Sequence, residues 1–510
     1  MNPVRRMRIP FVGLMVLTWM AGALAVRTAD SIAAPAEFRL LIDGRPAELV
    51  HAPLMMDGRL AVPMRELFET LGARVQWIGR KRIVTAVKGD TLVVVKAGSD
   101  VAVKNGTELT MEFPAVLNRG TTWVPLSFVG EALGVEVLLN ARAGTALLRT
   151  ESHDAISKSA PAVRAGRTRA EIAARWLAAS PVFRGSPYRE EPSVTAPHRA
   201  GSLHPEFVRD ALDMANYFRY LTGLPDDLAI DSRLNDLAQH GAVLLAAGGE
   251  FSHEPAKPPE MDDGFYRRGV EATSSSNLAL YRVTSGGSLR QRIGDMRAGD
   301  ELSLANSVRR FMRDEDEHNV AAVGHRRWIL YPPLQRVGFG YAHTLDGRNG
   351  IHELTAYGVM HVFDTSRTEK WSGKAVLWPS EGYVPVELFH AGDPWSVSLN
   401  PEMFTPPKLS EISVTLTRER DRRVWTLNQA DDSTTDGGEF FTVNTDEYGW
   451  PYCVIFRPSG VSAFRPGDRY DVRIEGLKDR DGRPVELRYQ VEFFRLDDYV
   501  PPQWKASVTG

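Results

Sequence analysis

Apolar and polar positions alternate in short runs toward both ends of this chain and recur at helical spacing in its middle. Ile83/Thr85/Val87 and Leu92/Val94 alternate around Gly89-Asp90, which predicts a β-hairpin. The stretch 58–72 recurs position for position at 120–134, with Pro63 answering Pro125, Glu69 answering Glu131 and Gly72 answering Gly134. Each copy predicts a strand ending at Val-Pro, a helix with apolar residues at helical spacing (Leu67, Phe68, Leu71) and a glycine at its end. Further on, Val208, Leu212, Ala215 and Phe218 predict a helix that stops at Gly223. A second helix starts behind Asp231, carries Leu234, Leu237, Ala238, Ala242 and Leu245 on one face, and ends at Gly248-Gly249. Beyond Trp371 the helical period is lost. Ile412/Val414/Leu416, Tyr470/Val472/Ile474 and Val485/Leu487/Tyr489/Val491/Phe493 alternate, the last two runs around Asp481-Gly482.

Composition narrows the class. A chain of 510 residues with 43% apolar and 25% charged content predicts several compact units. With 61 basic and 64 acidic side chains the formal charge is −3, which provides no field for gathering nucleic acid. Arg5, Arg6 and Arg8 precede an apolar run from Ile9 to Val26, and Ala23-Leu24-Ala25 has the small-x-small form of a cleavage site. Residues 1–25 therefore read as a secretory signal, with a membrane anchor as the alternative if the segment stays uncleaved. The expected location is secreted or cell-surface. The single cysteine, Cys453, cannot form an internal disulfide, and its apolar surroundings Tyr452-Cys453-Val454-Ile455-Phe456 predict a buried structural thiol.

The duplicated Val-Pro and Leu-Gly pattern, from about Phe38 to Arg149, resembles the copper amine oxidase N-terminal-like domain. The resemblance implies a module of exported proteins, with a spacer or surface-adhesion role. It does not imply oxidase chemistry, because no Asn-Tyr-Asp/Glu cofactor tyrosine with a copper-ligating histidine cluster follows. His51 is the one histidine of the module.

In the central region Asn216-x-x-Arg219, Gly223-Leu224, Asp231, Leu234, Ala238 and Phe251-Ser252-His253 resemble the CAP superfamily of cysteine-rich secretory, antigen 5 and pathogenesis-related proteins. Val308-x-x-Phe311-Met312-x-Asp314 and Gly324-His325, followed by the Gly338-x-Gly340 turn, continue the match to about Phe363. The resemblance implies an α-β-α sandwich with two histidines and two acids around a cleft. Carried over residue by residue, the histidines are His253 and His325. Ser276, in Ser275-Ser276-Asn277, stands where the family has a carboxylate, and Asp314 stands for the other glutamate. The candidate catalytic residues are His253, His325 and Asp314; the candidate ligand cleft is His253, Ser276, Asn277, Asp314 and His325. His253 and His325 are candidate metal ligands, Zn²⁺ being the cofactor considered, although loss of a carboxylate at Ser276 weakens any site that needs three protein ligands. Glu271 could replace that carboxylate only along a different loop path. Ser276, His325 and Asp314 make a nominal serine-hydrolase triad that nothing in the sequence orders. His318, His343, His352, His361 and His390 share no spacing and default to structural or surface roles.

The expected fold class is a multidomain α+β chain. Its parts are a signal peptide (1–25), the duplicated small α/β module (38–150), a linker and lead-in (151–202) with helical potential only at 170–179, the CAP domain (203–363) and an antiparallel β-sandwich (371–497). Trp378, Trp395, Trp425 and Trp450 are expected mainly in its core. Three functions remain open: binding of an extracellular ligand such as lipid, glycan, peptide or cell-wall polymer; metal-assisted hydrolysis of peptide or wall polymer; and a non-catalytic spacer with a vestigial cleft.

Overall fold

The two copies of the N-terminal unit fold alike and meet in the computed structural model, which describes residues 38–140, 143–150, 166–285, 293–296, 300–348, 351–435 and 437–500. The segment 1–25, expected to be a secretory signal, lies outside the described residues. β1 (Arg59–Pro63) leads into α1 (Met64–Thr70), a hairpin of β2 (Ile83–Lys88) and β3 (Thr91–Lys96) follows, and β4 (Thr121–Pro125) leads into α2 (Leu126–Leu133). β1 and β4 pair antiparallel with Val62 opposite Val124, the same position of each copy. Duplication thus places one apolar stripe against its own counterpart. Leu67 and Phe68 of α1 and Phe128 and Val129 of α2 share one buried core with β2 and β3.

The stretch expected to be a linker contributes a buried helix. Thr168 and Glu171 form a reciprocal capping box at the start of α3 (Arg169–Ala179), and Trp176 is 1% exposed. α3 joins the core that runs from Ile83 and Leu92 of the module into the central region. Beside it, Arg80 of the module reaches Asp210 at 2.7 Å and Asp213 at 3.0 Å. Lys81 Nζ donates to the Leu177 carbonyl and the Ser180 hydroxyl, and burial lowers its pKa to about 7.

The central helices follow the apolar spacing. α4 spans Pro205–Leu221; α5 spans Ser232–Gly248, with Asp231 accepting from the Arg233 and Leu234 amides at its N-cap and Gly249 at φ 67° at its end. They pack around a four-stranded sheet in the order β5 (Ala229–Ile230), β7 (Arg336–Arg348), β8 (Ile351–His361), β6 (Ser276–Ser285). β5 is parallel to β7, and the other pairs are antiparallel. On one face Leu278, Ala342, Tyr357 and Val359 meet Ala238 and Ala242 of α5. On the other, Ala279, Ala356 and Met360 belong to the core shared with α4.

Gly338 and Gly340 are not a turn but lie within β7. A Cβ on Gly340 would stand 2.1 Å from the Ala238 carbonyl oxygen, and one on Gly338 would stand 2.2 Å from the Leu234 carbonyl carbon. These glycines let the α5 backbone rest directly on the strand. The side chains of Asn235 and Gln239 then accept from the Phe339 and Tyr341 amides, each at 2.8 Å.

The C-terminal region holds a four-stranded and a five-stranded sheet. The expectation of a wholly antiparallel arrangement is corrected at one edge, where β9 (Gly382–Pro385) runs parallel to β10 (Pro484–Phe494). The chain changes sheets between Trp378 and Gly382, which carries β9 to the edge beside the last strand with its direction already set. Trp378, Trp395, Trp425 and Cys453 are buried, while Trp450 is partly exposed and lies 5.6 Å from Trp371.

Candidate functional site

The site forms where β6 begins and β8 ends. α6 (Asp263–Ser274) delivers the chain to Ser276 and Asn277, whose side chains take opposite faces of the sheet because they are consecutive strand residues. Asn277, on the α4 face, donates from Nδ2 to the His325 carbonyl at 2.9 Å. Ser276, on the α5 face, stands opposite His361 of β8, which in turn stands opposite Gly338 of β7.

His325 lies on α8 (Gly324–Ile329), which follows α7 (Leu304–Phe311) and a loop. Its Nδ1 is 2.7 Å from Asp314 Oδ1, and the ring stacks on Phe311 at 5.2 Å. The second Asp314 oxygen accepts from the Arg326 amide at 3.0 Å. Asp314 is 3% exposed and has φ 47°, while Val323, two residues before His325, is fully buried with φ 42°. For a β-branched residue this is a costly conformation, and it aims the loop so that the carboxylate meets the imidazole. Burial alone would lower the His325 pKa, but the charge and hydrogen bond of Asp314 outweigh it and the pKa is raised.

His253 is held differently. It is exposed, and its Nδ1 lies 2.7 Å from the carbonyl oxygen of Thr273, whose hydroxyl donates to the His253 carbonyl at 2.8 Å. A carboxylate or carbonyl at Nδ1 favours the tautomer with the proton there, leaving Nε2 of each ring as the atom available to a ligand. The two histidines are thus tied to opposite ends of one short segment, His253 through Thr273 and His325 through Asn277.

The residues do not assemble a zinc donor set. Ser276 supplies no carboxylate, Asp314 is engaged by His325 and Arg326, and among the described residues no three His, Cys, Asp or Glu side chains converge to hold a metal ion. The nominal Ser276, His325 and Asp314 triad is not formed either. His325 meets Asp314, but the Ser276 Oγ is buried without a hydrogen-bond partner on the other face of the sheet.

Sequence reasoning missed two sets of residues. His361, which by spacing alone defaults to a structural or surface role, sits beside Ser276, is 6% exposed, and has a buried Nδ1 without a partner. Burial lowers its pKa against the opposing pull of Asp364, Glu271 and Asp231. Only strand register reveals this neighbour. The second set is Arg326 and Arg327. Arg326, fully buried, donates to the carbonyls of Met312, Arg313 and Pro394 and to the Ser396 hydroxyl; Arg327 donates to Asn444 Oδ1 and to the carbonyls of Asp446 and Trp450. The residues following His325 therefore fasten α8 to the C-terminal sheets. Consecutive arginines beside an apolar Trp328-Ile329-Leu330 run were the available signal.

A separate cavity of about 730 Å³ opens between α4 and the start of α5, lined by Val208, Leu212, Leu228, Ile230 and Phe339 among others, and no candidate cleft residue borders it.

Comparison with known proteins agrees with this layout. A family model described as copper amine oxidase N-terminal domain matches residues 41–148, and one described as cysteine-rich secretory protein family (CAP) matches residues 212–361. A primary amine oxidase of Klebsiella aerogenes is 29% identical over 119 residues, 22% of this chain. The chain spans only 16% of that relative's length.

Proposed function

We propose that this chain, which carries a copper amine oxidase N-terminal domain followed by a CAP domain, is an exported protein that binds an extracellular ligand between His253 and His325. The observation that carries the reading is the paired bracing of the two imidazoles. Each Nδ1 is fixed by an acceptor, so each Nε2 is left for an incoming group. The helices on both faces of the central sheet support an α-β-α sandwich, and the two C-terminal sheets support a β-sandwich that backs α8 through Arg326 and Arg327. The N-terminal module then serves as a spacer or adhesion unit, and secretion or surface display follows from the apolar segment at 9–26.

Binding fits the site better than metal-assisted hydrolysis, because among the described residues no three His, Cys, Asp or Glu side chains converge. The His325 and Asp314 pair favours one further reading, in which His325 acts as a general base on a bound peptide or wall polymer without a metal. The test is titration of the secreted chain with a fluorescent fatty acid, a wall glycan fragment and Zn²⁺, against the double variant His253→Ala, His325→Ala. Binding of a lipid or glycan probe that is lost in the double variant supports the proposal. Micromolar zinc binding lost in the same variant would overturn it in favour of a metal centre.

A further inference from the structure

We propose that Ser276 and His361 form a hydrogen-bonding subsite for a hydroxyl group of a neutral glycan, on the α5 face of the sheet beside the end of α6 that holds His253. This rests on the ligand-binding reading above and names its ligand class. Ser276 opens β6 and His361 closes β8, directly opposite in an antiparallel pair, so their side chains emerge on the same face a few ångströms apart. Ser276 is 4% exposed and His361 6%. Oγ of one and Nδ1 of the other are both buried and both without a partner. Native structures rarely leave such atoms unpaired, and two on paired residues of one sheet face mark a place where a polar group is received.

The chemistry of the pair selects that group. Burial keeps the His361 imidazole neutral, since the carboxylates that pull on it, Asp364, Glu271 and Asp231, do not offset the loss of solvation. Nδ1 of a neutral imidazole donates in one tautomer and accepts in the other, and a serine hydroxyl can do either. The complement is a group that also donates and accepts, which describes an alcohol. Neither side chain carries a formal charge, so a charged ligand group would lose its hydration there without a counter-charge on the pair, whereas an alcohol fits either tautomer. With Ser276 where a carboxylate was expected, the pair itself carries no formal charge.

The rim supports a sugar in particular. Among the described residues, the aromatic members of the exposed large hydrophobic set are Phe251 (45% exposed) and Phe363 (50%). Phe251 precedes His253 by two residues, and Phe363 follows His361 by two. Phe363 packs against Trp328 at 4.3 Å between ring centres, in a tilted arrangement. Exposed aromatic rings so close in sequence to the hydrogen-bonding residues suit the apolar C–H face and hydroxyl edge of a pyranose.

The experiment titrates the full secreted chain with chitotetraose and cellotetraose, and with laurate as the lipid control, by calorimetry and by imidazole NMR. Expected are shifts of the His361 and His253 ring signals on addition of a neutral oligosaccharide. Affinity should fall at least tenfold in Ser276→Ala and in His361→Phe, and stay within threefold in His361→Gln, whose amide keeps a donor and an acceptor. Phe363→Ala should weaken binding several-fold. The inference is overturned if neither oligosaccharide moves the His361 signals, if Ser276→Ala binds as the parent does, or if a crystal structure shows a trapped water satisfying both atoms with saccharide present elsewhere. Laurate binding lost in His253→Ala, His325→Ala but kept in the Ser276 and His361 variants would leave the cleft reading standing and remove this one. No change with any probe in any variant would remove both.

Discussion

The duplicated module and the central region both hold non-glycine residues in the left-handed region, for opposite reasons. In the module Asp43, Asp57, Asn105 and Arg119 have φ between 45° and 49°, and each is followed by a glycine that is also left-handed. These are exposed two-residue hairpin turns whose conformation is supplied by the local pair. In the central region Asp314 and Val323 adopt φ 47° and 42° while buried. Their conformation is imposed from outside, Asp314 by His325 and the Arg326 amide, Val323 by packing with Val320, Phe440, Cys453 and Ile455. Strain of about 1–3 kcal/mol per residue persists only where the surroundings over-determine it. The contrast separates a scaffold that local sequence can build from a site that needs its tertiary contacts.

Breaking those contacts should have the largest effect. Arg326→Met leaves three carbonyls and a hydroxyl without their buried donor, and should cost about 4 kcal/mol in urea denaturation. A loss under 1 kcal/mol would mean that the C-terminal sheets do not brace the site. Gly340→Ala drives a methyl into the α5 backbone and should cost about 3 kcal/mol, whereas Gly58→Ala, in an open turn, should cost about 1 kcal/mol. Equal costs would erase the distinction between the regions.

The junction between the regions gives a pH test. Lys81 has its pKa depressed to about 7 in the fold against an ordinary value of 10.5, so the folded state binds fewer protons than the unfolded one in that window. Stability should therefore rise from pH 7 to 9 by about 2 kcal/mol, and Lys81→Met should flatten that rise. An unchanged slope in the variant would place the titrating group elsewhere.

A smaller effect is expected at the site itself. The folded pKa of His325 is raised, so the stabilisation from its pairing with Asp314 is fully present below the ordinary histidine value and lost as pH rises through the folded one. In Asp314→Asn burial is opposed only by the charge of Asp316, and the His325 midpoint followed by NMR should fall, with about 1 kcal/mol lost in stability at pH 6. The smallest change belongs to the module. Arg119→Asp copies Asp57 of the other repeat, and should raise stability by about 0.5 kcal/mol in thermal unfolding, since a short polar side chain tolerates the turn better.

Much of the fold was legible because its signals are local. The Val-Pro and Leu-Gly repeat, the Asp231 cap, the Gly249 terminus of α5 and the hairpin around Gly89-Asp90 each depend on residues a few positions apart, and the structure places them where periodicity does. The parallel edge strand β9 and the close approach at Gly338 and Gly340 were not legible, because each depends on an element far along the chain. The same holds within the candidate site. The sequence by itself determined which residues carry imidazole, carboxylate and hydroxyl, and that a serine stands where a carboxylate was expected. Only the tertiary structure decided that Asp314 serves His325, that Asn277 and Ser276 face opposite sides of the sheet, and that His361 is the residue across from Ser276. The reason is that strand register and loop strain are set by long-range packing, in which a one-residue slip would exchange the faces of every side chain while leaving the local pattern unchanged.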